Sequence, residues 1–165
     1  MNASGIINFY GLQTHPEGGY YKQTYRSDVL IDPEALPDSF SGQRPISTAI
    51  YFLLPAGNFA AFHRIKSDEL WHFYSGVSLH IHVIHQDGFY ELLKLGSDIE
   101  EGQSHQHKVP AGVWFASEPS STEGFSFVGC TVSPGFDFND FELATSDQLI
   151  AEYPHLKEIV SRLCR

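Results

Sequence analysis

The sequence predicts an all-β barrel or sandwich flanked by short helices. From residue 46 onward, short β-rich runs follow one another at near-regular spacing. Glycine- and proline-containing turns separate them. Aromatic residues make up 14% of the chain, with 13 Phe and 8 Tyr, and these side chains suit pleated sheets and cavity walls.

Taken in order, Ser4 can cap a short helix whose apolar side is Ile6, Phe9 and Tyr10, ending near Gly11 or His15-Pro16. Gly19 to Arg26 (GYYKQTYR) reads as a strand. Residues 28–45 carry Asp, Pro, Ser and Gly and read as a long surface connection, the best candidate for a lid or an oligomer arm. The β-rich runs are Ile46–Leu54, Phe59–Ile65, Glu69–Tyr74, Ser78–His85, Phe89–Leu95, Ser104–Val109, Val113–Phe115 and Phe125–Val132. Asp87-Gly88 between two of them is a hairpin signal. In the tail, Thr145 and Gln148 form a capping-box pair. After Pro154, the apolar residues Leu156, Ile159, Val160 and Leu163 share one helical face, predicting a helix packed outside the barrel.

At 165 residues and 42% hydrophobic content, a single domain spanning 1–165 is expected, with a sizeable core. A formal net charge of −10 disfavours nucleic acid and anionic membrane as partners. It leaves an anionic ligand open, because a pocket can be locally basic. Cys130 and Cys164 make no disulfide framework. The segment MNASGIINFYGLQ lacks a basic region followed by a long apolar run, and no stretch is apolar enough to span a membrane. A cytoplasmic location is the expectation.

One stretch carries more information than the rest: GNFAAFHRIKSDELWHFYSG, residues 57–76. His63 follows Gly57 after five residues, Glu69 lies six beyond His63, and Gly76 closes the stretch. Glycines suit the turns between strands, and alternate residues of neighbouring strands point into a barrel, so His63 and Glu69 would meet across its interior. The spacing resembles the first cupin motif. The second motif is partial: Gly102, Pro110 and Gly112 are present, but Phe115 stands where a histidine is expected. HPEGGYY (15–21), HRIKSDELWHFYSG (63–76), VPAGVWF (109–115) and TVSPGFDFNDFELA (131–144) look like the fifth cupin subfamily, long catalogued as a domain of unknown function. The resemblance implies a cupin double-stranded β-helix, a jelly-roll barrel, with a short N-terminal helix and C-terminal helices. It also implies a homodimer and a distant similarity to deoxysugar 3,5-epimerases.

Metal-binding cupins present three histidines and a glutamate. Here His63 and Glu69 fill two places while Ile65 and Phe115 fill the others, and two protein ligands hold Zn²⁺, Fe²⁺ or Mn²⁺ poorly. No metal or other cofactor is expected; one bound through His63 and Glu69 would need a third ligand, such as His72. A continuous strand sends Glu69, Trp71 and Phe73 to one face and Leu70, His72 and Tyr74 to the other; a bulge would change that parity. His80, His82 and His85, with His105 and His107, read as surface or inter-sheet histidines.

The metal-free expectation makes His63 a general base and Glu69 its orienter. Tyr74 or Tyr20 would donate a proton from the opposite side, as tyrosine does in metal-free sugar epimerases of the superfamily. Trp71, Trp114 and Phe115 offer aromatic walls. Glu17 and Arg26 are further ligand-binding candidates: Glu17 reaches the barrel mouth or shapes a turn, and Arg26 pairs with a carboxylate of the protein or of a ligand. In PGFDFNDFE (134–142), the phenylalanines are expected to seal the barrel end or a dimer seam. The expected function is binding of a small polar, sugar-like metabolite, with acid–base epimerase or isomerase chemistry. A non-catalytic binding protein and a metal-dependent enzyme are the alternatives.

Overall fold

A computed structural model describes residues 2–165. The strands are β1 (Gln13–Thr14), β2 (Tyr20–Arg26), β3 (Leu30–Ile31), β4 (Arg44–Pro45), β5 (Thr48–Pro55), β6 (Ala60–Arg64), β7 (Asp68–Gly76), β8 (Leu79–Ile84), β9 (Tyr90–Leu95), β10 (Gln106–Val109), β11 (Trp114–Pro119), β12 (Phe125–Ser133) and β13 (Glu142–Leu143). The helices are α1 (Ala3–Tyr10), α2 (Ser146–Glu152) and α3 (Lys157–Leu163). None is long and apolar enough to cross a membrane.

Two antiparallel sheets face each other as a jelly roll. One is six-stranded, in the order β1-β2-β5-β12-β7-β10; the other is five-stranded, in the order β13-β6-β11-β8-β9. Alternation decides which side chains meet between them. Phe52 and Leu54 of β5, Trp71 of β7, and Val128 and Cys130 of β12 pack against Leu79, Ile81 and Val83 of β8 and Phe115 of β11. The outer faces are apolar as well and are covered by helices. Ile6 of α1 and Leu12 lie over Leu53 and Phe127. Leu149, Val160 and Leu163 of α2 and α3 lie over Phe62, Ile84 and Trp114. Each fully buried aliphatic side chain of this kind contributes about 1.5–3 kcal/mol.

The caps differ in part from expectation. Asn2, not Ser4, caps α1, accepting from Gly5 N–H at 2.9 Å. Thr145 caps α2 by accepting from Gln148 N–H. The 28–45 connection is tied down. β3 pairs with β4, and buried Arg44 is held by both carboxylate oxygens of Asp140, at 2.6 and 2.7 Å. Gly76 ends β7 with φ of 96°, and a Cβ there would sit 2.0 Å from the Phe125 carbonyl, so this turn demands glycine.

Candidate functional site

A cavity of about 270 Å³ opens between the two sheets. Strand register builds its first wall. Gln23 of β2, Ile50 of β5, Cys130 of β12 and Trp71 of β7 stand side by side on one row. Thr48, Val132 and Glu69 form the next row. The facing wall is His63 and Ile65, and Phe136, Phe138 and Phe141 close one end. Along β7, Glu69 and Trp71 are buried toward the cavity; the pairing with β12 shifts register between Phe73 and Ser75, at exposed Tyr74.

The turn before β2 completes the site. His15 N–H donates to the Gly19 carbonyl, and Gly18 N–H donates to the His15 carbonyl. The Glu17 carbonyl accepts from Ala61 N–H at 2.8 Å, stitching the turn to β6. This approach is so close that a Cβ on Gly18 would meet the Phe59 carbonyl at 2.2 Å. Gly19, at φ of 74°, leaves no room beside Leu54. Glu17 is thereby set against His63, two residues along β6 from its backbone anchor.

The hydrogen bonds fix the protons. His63 Nδ1 lies 2.7 Å from the Ala61 carbonyl, which can only accept, so Nδ1 carries a hydrogen. His63 Nε2 lies 3.0 Å from Glu17 Oε2, and His15 Nδ1 lies 3.3 Å from that same oxygen. Two lone pairs cannot face each other at 3.0 Å, so the Glu17–His63 contact holds one proton. Burial pushes the Glu17 carboxyl up, yet His63 and then His15 outweigh it and hold the group below the ordinary carboxylate range. Burial also pulls the imidazole down against the pull of Glu17, so neither partner is a strong acid or base alone. Phe115 lies beside His63 with ring centroids 4.1 Å apart and fixes the ring from the interior.

Glu69 behaves differently. Burial, reinforced by the charge of Glu17, pushes its carboxyl up to about 8. It is therefore a neutral acid near pH 7. Cys130 and Trp71 adjoin it and favour the ionised form, but more weakly. The Trp71 indole N–H is buried against this carboxyl.

Several expectations are corrected. Glu17, not Glu69, orients His63. Tyr74 points away from the cavity: its ring lies over Gly129 on the outer face, beside Tyr51 and Phe127. Tyr20 packs on that same face under α1. His72 is outside too, bonded to Thr131 Oγ1 and Gln106. Arg26 is exposed at the end of β2. Trp114 faces α2 and α3, with the Arg64 guanidinium 4.3 Å above its ring. Alternation explains Tyr20, His72 and Trp114, whose neighbours face inward; Tyr74 sits at a register shift against β12, and Arg26 lies past a register shift in β2 at the exposed strand end. His15, Tyr21, Gln13, Gln23 and Cys130 also line the cavity, and none of them stood out as a site residue in the sequence. The signal for His15 was its place in HPEGG, two residues before Glu17.

Among the described residues, no group of three His, Cys, Asp or Glu side chains is placed to hold a metal ion. His82 lies outside the cavity. It sits 2.7 Å from the Tyr90 hydroxyl and 3.1 Å from Glu118, whose other oxygen is held by Arg162 of α3.

A jelly roll with a glycine-bounded histidine and glutamate facing one interior cavity is a cupin. The chain belongs to that superfamily, and within it to the family described as "Cupin superfamily (DUF985)", whose model matches residues 4–144. The yeast (Saccharomyces cerevisiae) "Uncharacterized protein YML079W" is 33% identical over 144 residues, covering 82% of this chain and 71% of its own length. The crystal structure of protein SO0799 from Shewanella oneidensis superposes with a TM-score of 0.91 at 42% identity, covering 100% of this chain and 98% of that one. A hypothetical protein from Leishmania major gives a TM-score of 0.90 at 33% identity, with 99% of each chain covered. Oxalate decarboxylase from Bacillus subtilis shares the fold alone, with a TM-score of 0.56 at 16% identity, over 94% of this chain and 37% of that one.

Proposed function

We propose that the cavity binds a small polar, sugar-like metabolite and moves a proton on it without a metal, as an isomerase or epimerase does. One observation supports this above the others: a neutral carboxyl and a one-proton carboxylate–imidazole pair line the same small cavity. Such a pairing of a proton donor with a proton acceptor suits enolisation next to a carbonyl. Both histidines address Glu17 Oε2, which leaves Oε1 to the substrate. The C–H bond breaks and its proton passes to the Glu17–His63 pair. Glu69 gives its proton to the carbonyl oxygen, forming the O–H of the enol. Returning a proton to carbon, on either face, regenerates Glu69 and the pair. Tyr74 has no part in this scheme.

The chain is proposed to act as a homodimer. β1 covers only Tyr20 and Tyr21 of β2, so Lys22–Arg26 offers a free strand edge. Tyr25, Val29, Leu30 and Ile46 are exposed hydrophobics in or near that segment. Sedimentation equilibrium checks the assembly, and a monomer at micromolar concentration counts against it.

The test of the chemistry is hydrogen exchange. Aldoses, ketoses and sugar lactones are incubated with the protein in D₂O and followed by proton NMR. Loss of a carbon-bound proton signal, absent with Glu17→Gln, supports the reading. Saturable binding without exchange across the panel would make the protein a carrier instead.

A further inference from the structure

We propose that this cavity selects an uncharged ligand: a single neutral ring of the polyol, hydroxyketone or lactone class, to the exclusion of phosphorylated, nucleotide-linked or carboxylate forms. This deepens the function proposed above and rests on the cavity being the binding site.

The first observation is charge. Among the described residues, no Lys or Arg lines the cavity. Three nearby basic side chains are committed elsewhere, and Arg26, paired across from Thr48, is exposed at the end of β2 outside the lining. Arg44 and Lys66 both engage Asp140, Lys66 at 3.3 Å. Lys22 Nζ is bonded to the Tyr10 carbonyl at 2.7 Å. An entering phosphate or carboxylate would shed its hydration and meet no counter-charge, facing Glu17 instead. The chain's net charge of −10 opposes its approach as well.

A cation is no better placed. The negative charge of Glu17 is spent on His63 and His15. Glu69 holds its proton up to a pH of about 8. What remains is a set of neutral donors and acceptors: the amides of Gln13 and Gln23, the Thr48 hydroxyl and the Glu69 carboxyl. Such a mixture matches hydroxyl groups, which donate and accept at once. The flat faces of Trp71 and Tyr21 suit the C–H face of a ring.

The second observation is size. At about 270 Å³ the cavity lies just below the usual range for small-molecule sites, roughly 300–1,000 Å³. It accommodates one ring and not a nucleotide joined to a sugar.

The test needs no knowledge of the natural ligand. Benzamide and benzoate share a ring and a size and differ in charge. Each is titrated into the full chain at pH 7, and the Trp71 indole N–H cross-peak is followed in ¹H–¹⁵N spectra, assigned by its retention in Trp114→Phe. Benzamide is expected to shift that peak saturably, with an affinity at least tenfold above that of benzoate. Gln23→Lys, which places a cation in the wall, is expected to raise benzoate affinity more than tenfold. Benzoate binding as tightly as benzamide overturns the proposal. A Trp71 peak that neither compound moves also overturns it, because the cavity then admits no neutral ring. Failure of Gln23→Lys to recruit benzoate overturns it by showing the exclusion to be steric. These outcomes are independent of turnover: a protein that exchanges no substrate hydrogen can still show the selectivity.

Discussion

Glu17 Oε2 and His63 Nε2 stand 3.0 Å apart with one proton between them, across a contact that joins an N-terminal turn to a barrel strand. The Ala61 carbonyl fixes the other nitrogen as a donor, so the pair has a single tautomeric description. At neutral pH the pair shares that proton and carries no net charge. Long-range ¹H–¹⁵N spectra of the wild-type chain at pH 7 should show Nδ1 protonated and Nε2 shifted away from the position of a free acceptor nitrogen. Glu17→Gln should return Nε2 toward the free-acceptor position. An Nε2 signal at the free-acceptor position in both proteins would remove the one-proton pair from the mechanism.

Glu69 makes stability depend on alkaline pH. Its folded value of about 8 exceeds the ordinary 4.5, so the native state binds more protons than the unfolded chain between those limits. The stabilisation is complete below pH 4.5, falls as pH rises, and is gone above about 8. The change is on the order of 4 kcal/mol. Urea melts of the wild type and Glu69→Gln at pH 5 and pH 9 should show the variant gaining on the wild type at the higher pH. Parallel pH profiles would mean that Glu69 is ionised in the fold.

His82 acts at the other end of the scale. Burial, against the opposing charge of Glu118, pulls its imidazole down to about 4. The unfolded chain takes up this proton near 6.5 and the native chain does not, so stability is lost as pH falls from 6.5 through 4. The loss should amount to about 3 kcal/mol and be absent in His82→Gln. Denaturation midpoints at pH 7 and pH 4 check it; an equal drop in the variant would place the acid sensitivity elsewhere.

Arg44 and Asp140 form a buried ion pair that pins the short 3₁₀ turn Phe138–Asp140 at the end of the cavity. Asp140→Ala strands a buried guanidinium and should cost about 3–5 kcal/mol. It should also weaken benzamide binding, because Phe138 loses its anchor. Arg44→Met combined with Asp140→Leu should recover most of the stability. A double variant as unstable as the single one would show that shape, not charge, is the lost quantity.

Tyr74→Phe should leave benzamide affinity unchanged within twofold, since the ring lies over Gly129 on the far side of the sheet. A larger change, read from the Trp71 cross-peak, would mean that the outer face communicates with the cavity.

The strands were legible because each carries its own alternation and its own turn signals. The cavity-facing positions of Glu69 and Trp71 followed from parity along one strand, and so did the outward position of His72; Tyr74 lies at a register shift that parity alone does not foresee. Trp114 was harder. Its side of the sheet is apolar because α2 and α3 cover it, and aromatic character does not distinguish a cavity wall from a helix-covered face. The tail's own apolar stripe (Leu156, Ile159, Val160 and Leu163) announced that some sheet face would be covered. The Glu17–His63 contact was out of reach for another reason. An irregular turn sets it, by docking on a strand distant in sequence, and neither element has a period that encodes the other. Gly18 and Gly19 hinted at a tight approach without saying to what.

That division of labour separates the vessel from its reagent. The barrel strands supply the acid, the imidazole and most of the walls, whereas Glu17 arrives on a turn held to β6 by the Ala61 N–H bond to its carbonyl. The turn joins β1 to β2 of one sheet and is anchored to β6 of the other, so on the proposed reading the base stands in place only when both sheets have met. On that same reading the chemistry hangs on the Glu17 side chain alone, and its replacement would disarm the vessel while Gly18 and Gly19 go on holding the turn against the barrel.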